Sequence, residues 1–179
     1  MSTPIIEALR LKSQTWAPQN KLVIIAIDEM KIREGLTYDK GRDVIEGYCG
    51  ENNRLASHAL VFMVRGIVDK WKQSVGYFLS SGPMSGTEIK KILLDCIARL
   101  DMIGLTAMAV IGDQGSNNQN LFSTILKATP DHPYFMYNDR KVFTIYDPPH
   151  LLKNIRNNLK NHGYVVNEHD ISWKHIEEF

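Results

Sequence analysis

Cysteine is nearly missing from this chain. Only Cys49 and Cys96 occur among 179 residues, and so distant a pair excludes a disulfide framework and a cysteine zinc site. Both are expected to be reduced thiols of an intracellular protein. A surplus of charge is missing as well. The 21 Lys and Arg against 20 acids leave a formal net charge of +1, so no global field draws the chain to nucleic acid or to an anionic membrane. Contact with DNA has to come from local patches. No apolar run approaches the roughly 20 residues of a membrane span; the longest one early in the chain is Leu22 to Ile27. Met1 to Trp16 has no signal-peptide pattern, so a soluble, non-secreted protein without membrane contact is expected. Internal repeats, low-complexity tracts and Pro/Gly/Ser-rich linkers do not occur either, which makes one domain the simplest organisation. What is present is the composition of an ordinary globular protein, 44% hydrophobic and 23% charged, with a sizeable core to bury.

LVIIAI (22 to 27) is a continuous apolar run without alternation, which predicts a strand buried on both faces and ending at Asp28-Glu29. Residues 31 to 57 are polar, with scattered glycine, and predict an elaborated loop with a weak strand around Asp43 to Cys49. The β-branched and aromatic runs at 59 to 69 and 74 to 81 predict an antiparallel hairpin. Ser85 and Glu88 have the spacing of a capping box, ahead of apolar residues at Ile89, Ile92, Leu93, Cys96, Ile97 and Leu100. Gly104 then stops that helix. LTAMAVI (105 to 111) predicts a second buried strand closing at Gly112-Asp113, and Leu121 to Leu126 a short amphipathic helix. VFTIY (142 to 146) predicts a third strand, and Asp147-Pro148-Pro149 the capped start of a helix reaching about Gly163. This order implies an α/β fold with a mixed five-stranded sheet, an antiparallel hairpin plus parallel strands, flanked by helices. It is the order of elements in RNase H-like folds.

Three apolar strands thus each end in an aspartate, Asp28, Asp113 and Asp147, and sites in open α/β sheets assemble at the carboxyl ends of strands. Divalent cations need anionic oxygen ligands, and two metals about 4 Å apart clamp the attacking and leaving oxygens of a phosphoryl transfer. The alternative is that such acids merely meet water or cap the next helix. Asp113 stands in GDQGSNNQ, a Gly-bearing turn opening a helix; that loop also suits a nucleotide phosphate, although it matches neither a G-x-G-x-x-G nor a Walker sequence. Asp147 and His150 form a D-x-x-H pair, whose alternative roles are a helix cap and a packed histidine. On the following helix Leu151, Leu152, Ile155 and Leu159 share one face, while Lys153, Arg156 and Lys160 lie opposite, as phosphate contacts or as a solvated basic face. Glu29 points away from Asp28 on a strand, and His58 and His132 have no ligand spacing.

DEMKIREGLTYDKGRDVIEGY (28 to 48), VIGDQGSNNQNLF (110 to 122) and YDPPHLLKNIRNNL (146 to 159) together resemble the catalytic-domain blocks of P-element transposases and their THAP-domain relatives. The resemblance extends from about Leu22 to Leu159. It implies that Asp28 and Asp113 are the first two acids of a catalytic triad, with Mg²⁺ or Mn²⁺ as cofactor and Asp147 as a further candidate ligand. It also implies that the third acid is a glutamate on a late helix, beyond an insertion that binds GTP and follows the D-x-x-H signature. Glu168, Glu177 and Glu178 follow too soon to be that residue, and no THAP-type zinc pattern is present.

The expected layout is an N-terminal extension or linker at 1 to 20, the front of an RNase H-like domain at 21 to 162, and the start of an insertion at 163 to 179. The expected function is that of a fragment of a DNA transposase core, cutting and joining phosphodiesters in its parent but inactive alone. Transposon-end and target DNA, a homo-oligomeric parent and a nuclear location go with that reading. The alternative is a domesticated transposase-derived module that binds DNA or protein without catalysis.

Overall fold

The computed structural model describes residues 1–50 and 54–178. Helix α1 (Thr3–Ser13) opens the chain, burying Ile6 and Leu9, and the Ser2 amide donates to the Val75 carbonyl at 2.9 Å. Strand β1 (Leu22–Lys31) follows. The polar stretch after it contains two small ribbons, β2 (Thr37–Asp39) with β3 (Val44–Glu46), and β4 (Tyr48–Cys49) with β5 (Arg54–Leu55). Then come β6 (His58–Gly66), β7 (Lys72–Ser80), α2 (Gly86–Met102) and β8 (Thr106–Gly112). A short helix α3 (Ser116–Gln119) runs on into a wider turn through Ile125, and β9 (Tyr134–Tyr137) and β10 (Arg140–Tyr146) form a hairpin.

Six strands make one mixed sheet in the order β7-β6-β1-β8-β10-β9. β1 is antiparallel to β6 and parallel to β8. The expected count of five strands is therefore one short, and β9 is the addition. Its signal is the Asn138-Asp139 pair, whose positive φ angles of 44° and 61° close a two-residue hairpin turn. Four residues between Pro133 and that turn are too few for a periodicity to register.

β1 also differs from expectation in two ways. It continues past Asp28 to Lys31, because its antiparallel register with β6 runs on to Lys31↔His58 after the parallel pairing with β8 has stopped at Ala26↔Ile111. One face, Val23, Ile25 and Ile27, is buried, whereas Leu22, Ile24 and Ala26 on the other are only half-buried. The hairpin strands end earlier than the apolar runs suggest, and Ile67 and Val68 are exposed in the turn.

Helix α2 follows its sequence closely. The Ser85 hydroxyl accepts from the Glu88 amide while the Glu88 carboxylate accepts from the Ser85 amide, completing the capping box. Ile89, Leu93, Cys96, Ile97 and Leu100 are buried at helical spacing, and burial pushes the Cys96 thiol up to about 12. At the far end Gly104, with φ +78°, takes the left-handed conformation that lets the chain turn into β8. Asp101 in the last turn accepts from Arg140 at 2.7 Å, tying α2 to the start of β10.

The chain divides into two compact units, Met1–Ile145 and Tyr146–Phe179. In the second, α4 (Pro148–His162) is followed by a ribbon of β11 (Tyr164–Val166) and β12 (His169–Ile171) and by α5 (Lys174–Glu177). No helix among the described residues is long and apolar enough to cross a membrane.

Candidate metal centre

The parallel register of β1 and β8 ends at Ala26↔Ile111. Asp28 stands two residues further along β1, and Asp113 directly follows the last residue of β8, so the two carboxylates stand on neighbouring chain segments, each two residues past the last parallel pair. Side chains two residues apart on a strand share a face, and Asp28 keeps the face of the half-buried Ala26. Asp28 is exposed, and among the described residues its carboxylate has no hydrogen bond or ion pair. It lies opposite Val61 on β6, a neighbour that offers it no charge.

Asp113 is held differently. Its Oδ1 accepts from the Gly115 amide at 2.9 Å, closing a turn over the loop, and from the Asn118 side-chain amide at 2.8 Å. Glu29 is engaged elsewhere, since its Oε1 accepts from the Met84 amide at 2.7 Å. This matches its place on the core-facing side of β1. Hard carboxylate oxygens on neighbouring chain segments fit a Mg²⁺ or Mn²⁺ ion in donor chemistry. Among the described residues, however, no group of three or more His, Cys, Asp or Glu side chains is close enough to hold a metal.

Asp147 lies in the second unit. It occupies the N-cap position of α4, yet its side chain makes no cap hydrogen bond and pairs instead with His150 Nδ1 at 2.5 Å. The expected aspartate cap is corrected on this point. Pro149, at the second helical position, removes one of the two amide donors that a cap would use, and the imidazole one turn on provides another donor. Both partners are partly exposed, His150 more than Asp147. Lys153, Arg156 and Lys160 are all exposed on α4. Arg156 donates to Asn157 Oδ1, Lys160 stands 6.0 Å from the Trp173 ring, and Lys153 has no partner among the described residues. The expected apolar face of α4 is not buried: Leu152 and Ile155 are exposed, and no α4 residue is buried. Glu168 sits in the turn between β11 and β12, and Glu177 and Glu178 at the end of α5, all exposed. His58 Nδ1 bonds the Ser57 hydroxyl and His132 packs edge-on against Tyr134.

Sequence reasoning from single residues passed over Asn118. The signal available was a polar residue on the inward side of the helical turn that carries the buried Leu121 and Phe122.

Residues 1–125 match the protein family described as TNP-like, RNase H N-terminal domain. The Transposable element P transposase of Drosophila melanogaster is 28% identical over 162 residues, covering 89% of this chain and 20% of that protein. DNA transposase THAP9 of Homo sapiens is 25% identical over 171 residues, covering 86% of this chain and 19% of that protein. Among solved structures, the Drosophila P element transposase strand transfer complex superimposes with a TM-score of 0.80 at 26% identity, over 98% of this chain and 37% of that one. The chain spans about a fifth of the length of the curated relatives it matches. The resemblance to P-element transposases and the RNase H-like mixed sheet are both borne out by these matches.

Proposed function

The chain belongs to the TNP-like RNase H N-terminal domain family, a transposase RNase H-like domain, and from that premise we propose that Asp28 and Asp113 are acidic ligands of the phosphodiester-cleaving and strand-transferring centre of a longer DNA transposase. The observation that supports this reading is the parallel register of β1 and β8, whose last pair, Ala26↔Ile111, stands two residues before each aspartate. A bound Mg²⁺ or Mn²⁺ pair would supply charge neutralisation on the phosphate and activation of the attacking water or 3′-hydroxyl. Asp28, with no hydrogen bond or ion pair among the described residues, keeps both oxygens available. Asp113 presents a carboxylate already oriented by two donors on one oxygen.

Two carboxylates leave most coordination positions to water, so the isolated chain is expected to bind Mg²⁺ or Mn²⁺ weakly and to cut no DNA. Lys153, Arg156 and Lys160 are assigned to DNA phosphates, as exposed cations at helical spacing on α4. Names of the relatives, transposases and a strand transfer complex, support transposon-end and target DNA as partners of the parent protein. A homo-oligomeric assembly, a nuclear location and GTP binding are proposed for that parent alone, and no residue of this chain is assigned to GTP.

The test is DNA cleavage in Mg²⁺ by the full-length parent. Asp28→Asn and Asp113→Asn should each drop cleavage to background with the fold intact by circular dichroism, because each removes an anionic ligand at nearly constant size. Undiminished cleavage in both variants would overturn the assignment. A parent that cuts no DNA, while binding it, would favour the domesticated module instead.

A further inference from the structure

Asn118 is one of three buried polar residues among those described, with 7% of its surface exposed. The other two, Ser13 and Ser57, bond a carbonyl and a neighbouring imidazole. Asn118 instead sends its side-chain amide to Asp113 Oδ1 at 2.8 Å. The Gly115 amide reaches the same oxygen at 2.9 Å, and among the described residues no donor reaches Oδ2. Both donors therefore pin one oxygen of the carboxylate and leave the other unengaged. The backbone makes room for this arrangement at Gly112, where a Cβ would stand 3.1 Å from Asn118 Nδ2 and 3.2 Å from its Cγ.

A buried carboxamide is costly unless its hydrogen bonds are made, and burial by itself would be served better by an apolar residue, as at Leu121 and Phe122 three and four positions on. What such a residue could not do is orient Asp113. From this geometry we infer that Asn118 is a positioning residue for the Asp113 carboxylate as a metal ligand. It acts as hydrogen-bonded supports of ligating groups do elsewhere, whose loss weakens metal binding about 10- to 100-fold. The inference rests on the metal-ligand reading of Asp113.

The experiment is Mn²⁺ titration of the 179-residue chain, followed by electron paramagnetic resonance, with thermal unfolding measured in parallel. The variants are Asp113→Asn, Asn118→Ala and Asn118→Leu, which keeps the branched shape and heavy-atom count of the side chain. A positioning role requires the folded Asn118 variants to bind Mn²⁺ at least about tenfold more weakly than the wild type, with binding abolished in Asp113→Asn. A purely structural role would lower the melting temperature and leave Mn²⁺ affinity unchanged, which overturns the inference. So would failure of both Asn118 variants to fold. Wild-type binding that survives Asp113→Asn, or no binding at all, would sink the metal reading itself, a result distinct from unchanged affinity in the Asn118 variants alone.

Discussion

At the scale of single residues, the candidate site depends on one glycine as much as on its acids. A methyl group at position 112 would press on the Asn118 carboxamide and stand 3.4 Å from Phe122 Cζ. Gly112→Ala should therefore displace Asn118 and cost about 1 kcal/mol, the low end for overpacking a buried position. That is a melting temperature lowered by roughly 2–4 °C for a domain of this size. Thermal unfolding of the single and double variants checks it: in the Asn118→Ala background the same change should cost measurably less, since contacting residues do not add. The aspartates themselves were legible in the sequence, because an acid closing an apolar run is visible by inspection. Asn118 was not, since its partner lies five residues away across a turn whose shape no residue type announces. The His150 contact of Asp147 was hidden for a similar reason, as the choice between a cap bond and an imidazole partner depends on side-chain geometry that spacing does not announce.

At the scale of elements, α2 is the piece whose local signals and tertiary role agree most fully. Ser85→Ala removes the hydroxyl half of its capping box and should cost about 1 kcal/mol, read from denaturant unfolding. The same cap has a defined acid sensitivity. The Ser85 hydroxyl, and then its amide, hold the exposed Glu88 carboxyl below its usual range, so the charged form is favoured in the folded state. That contribution is fully present above the ordinary glutamate pKa of about 4.3 and fades as pH falls through the lowered folded value. Glu88→Gln should flatten the loss of stability between about pH 5 and pH 3 relative to the wild type. An unchanged pH profile would deny the carboxylate this role. Strand lengths were less legible than the helix. β1 outlasts its apolar run because β6 continues to pair with it, and β6 stops three residues short of its run where the turn into β7 begins.

At the scale of the whole chain, every buried hydrophobic residue described lies between Ile6 and Val142, within the first unit. α4, the ribbon after it and α5 bury none. Burial of apolar surface is the main stabilising term, so a chain ending at Ile145 should fold cooperatively. Its melting temperature should lie within about 4 °C of the 179-residue chain, the equivalent of about 1 kcal/mol at this size. A larger drop in a circular dichroism melt would mean that the second unit carries core energy. Local patterns along the chain determined the class of fold, the order of its main elements, the capped helix and the three candidate aspartates. Hydrophobic runs, caps and turn residues act over a few neighbours and can be read one after another. Only the folded sheet decided that β1 lies between β6 and β8, that Asp28 and Asp113 each stand two residues past the last β1–β8 pair, and that Asn118 reaches the second of them. Those facts depend on strand order and register, which arise from pairing between segments about 80 residues apart in sequence, and a linear pattern carries no record of which partner a strand will choose.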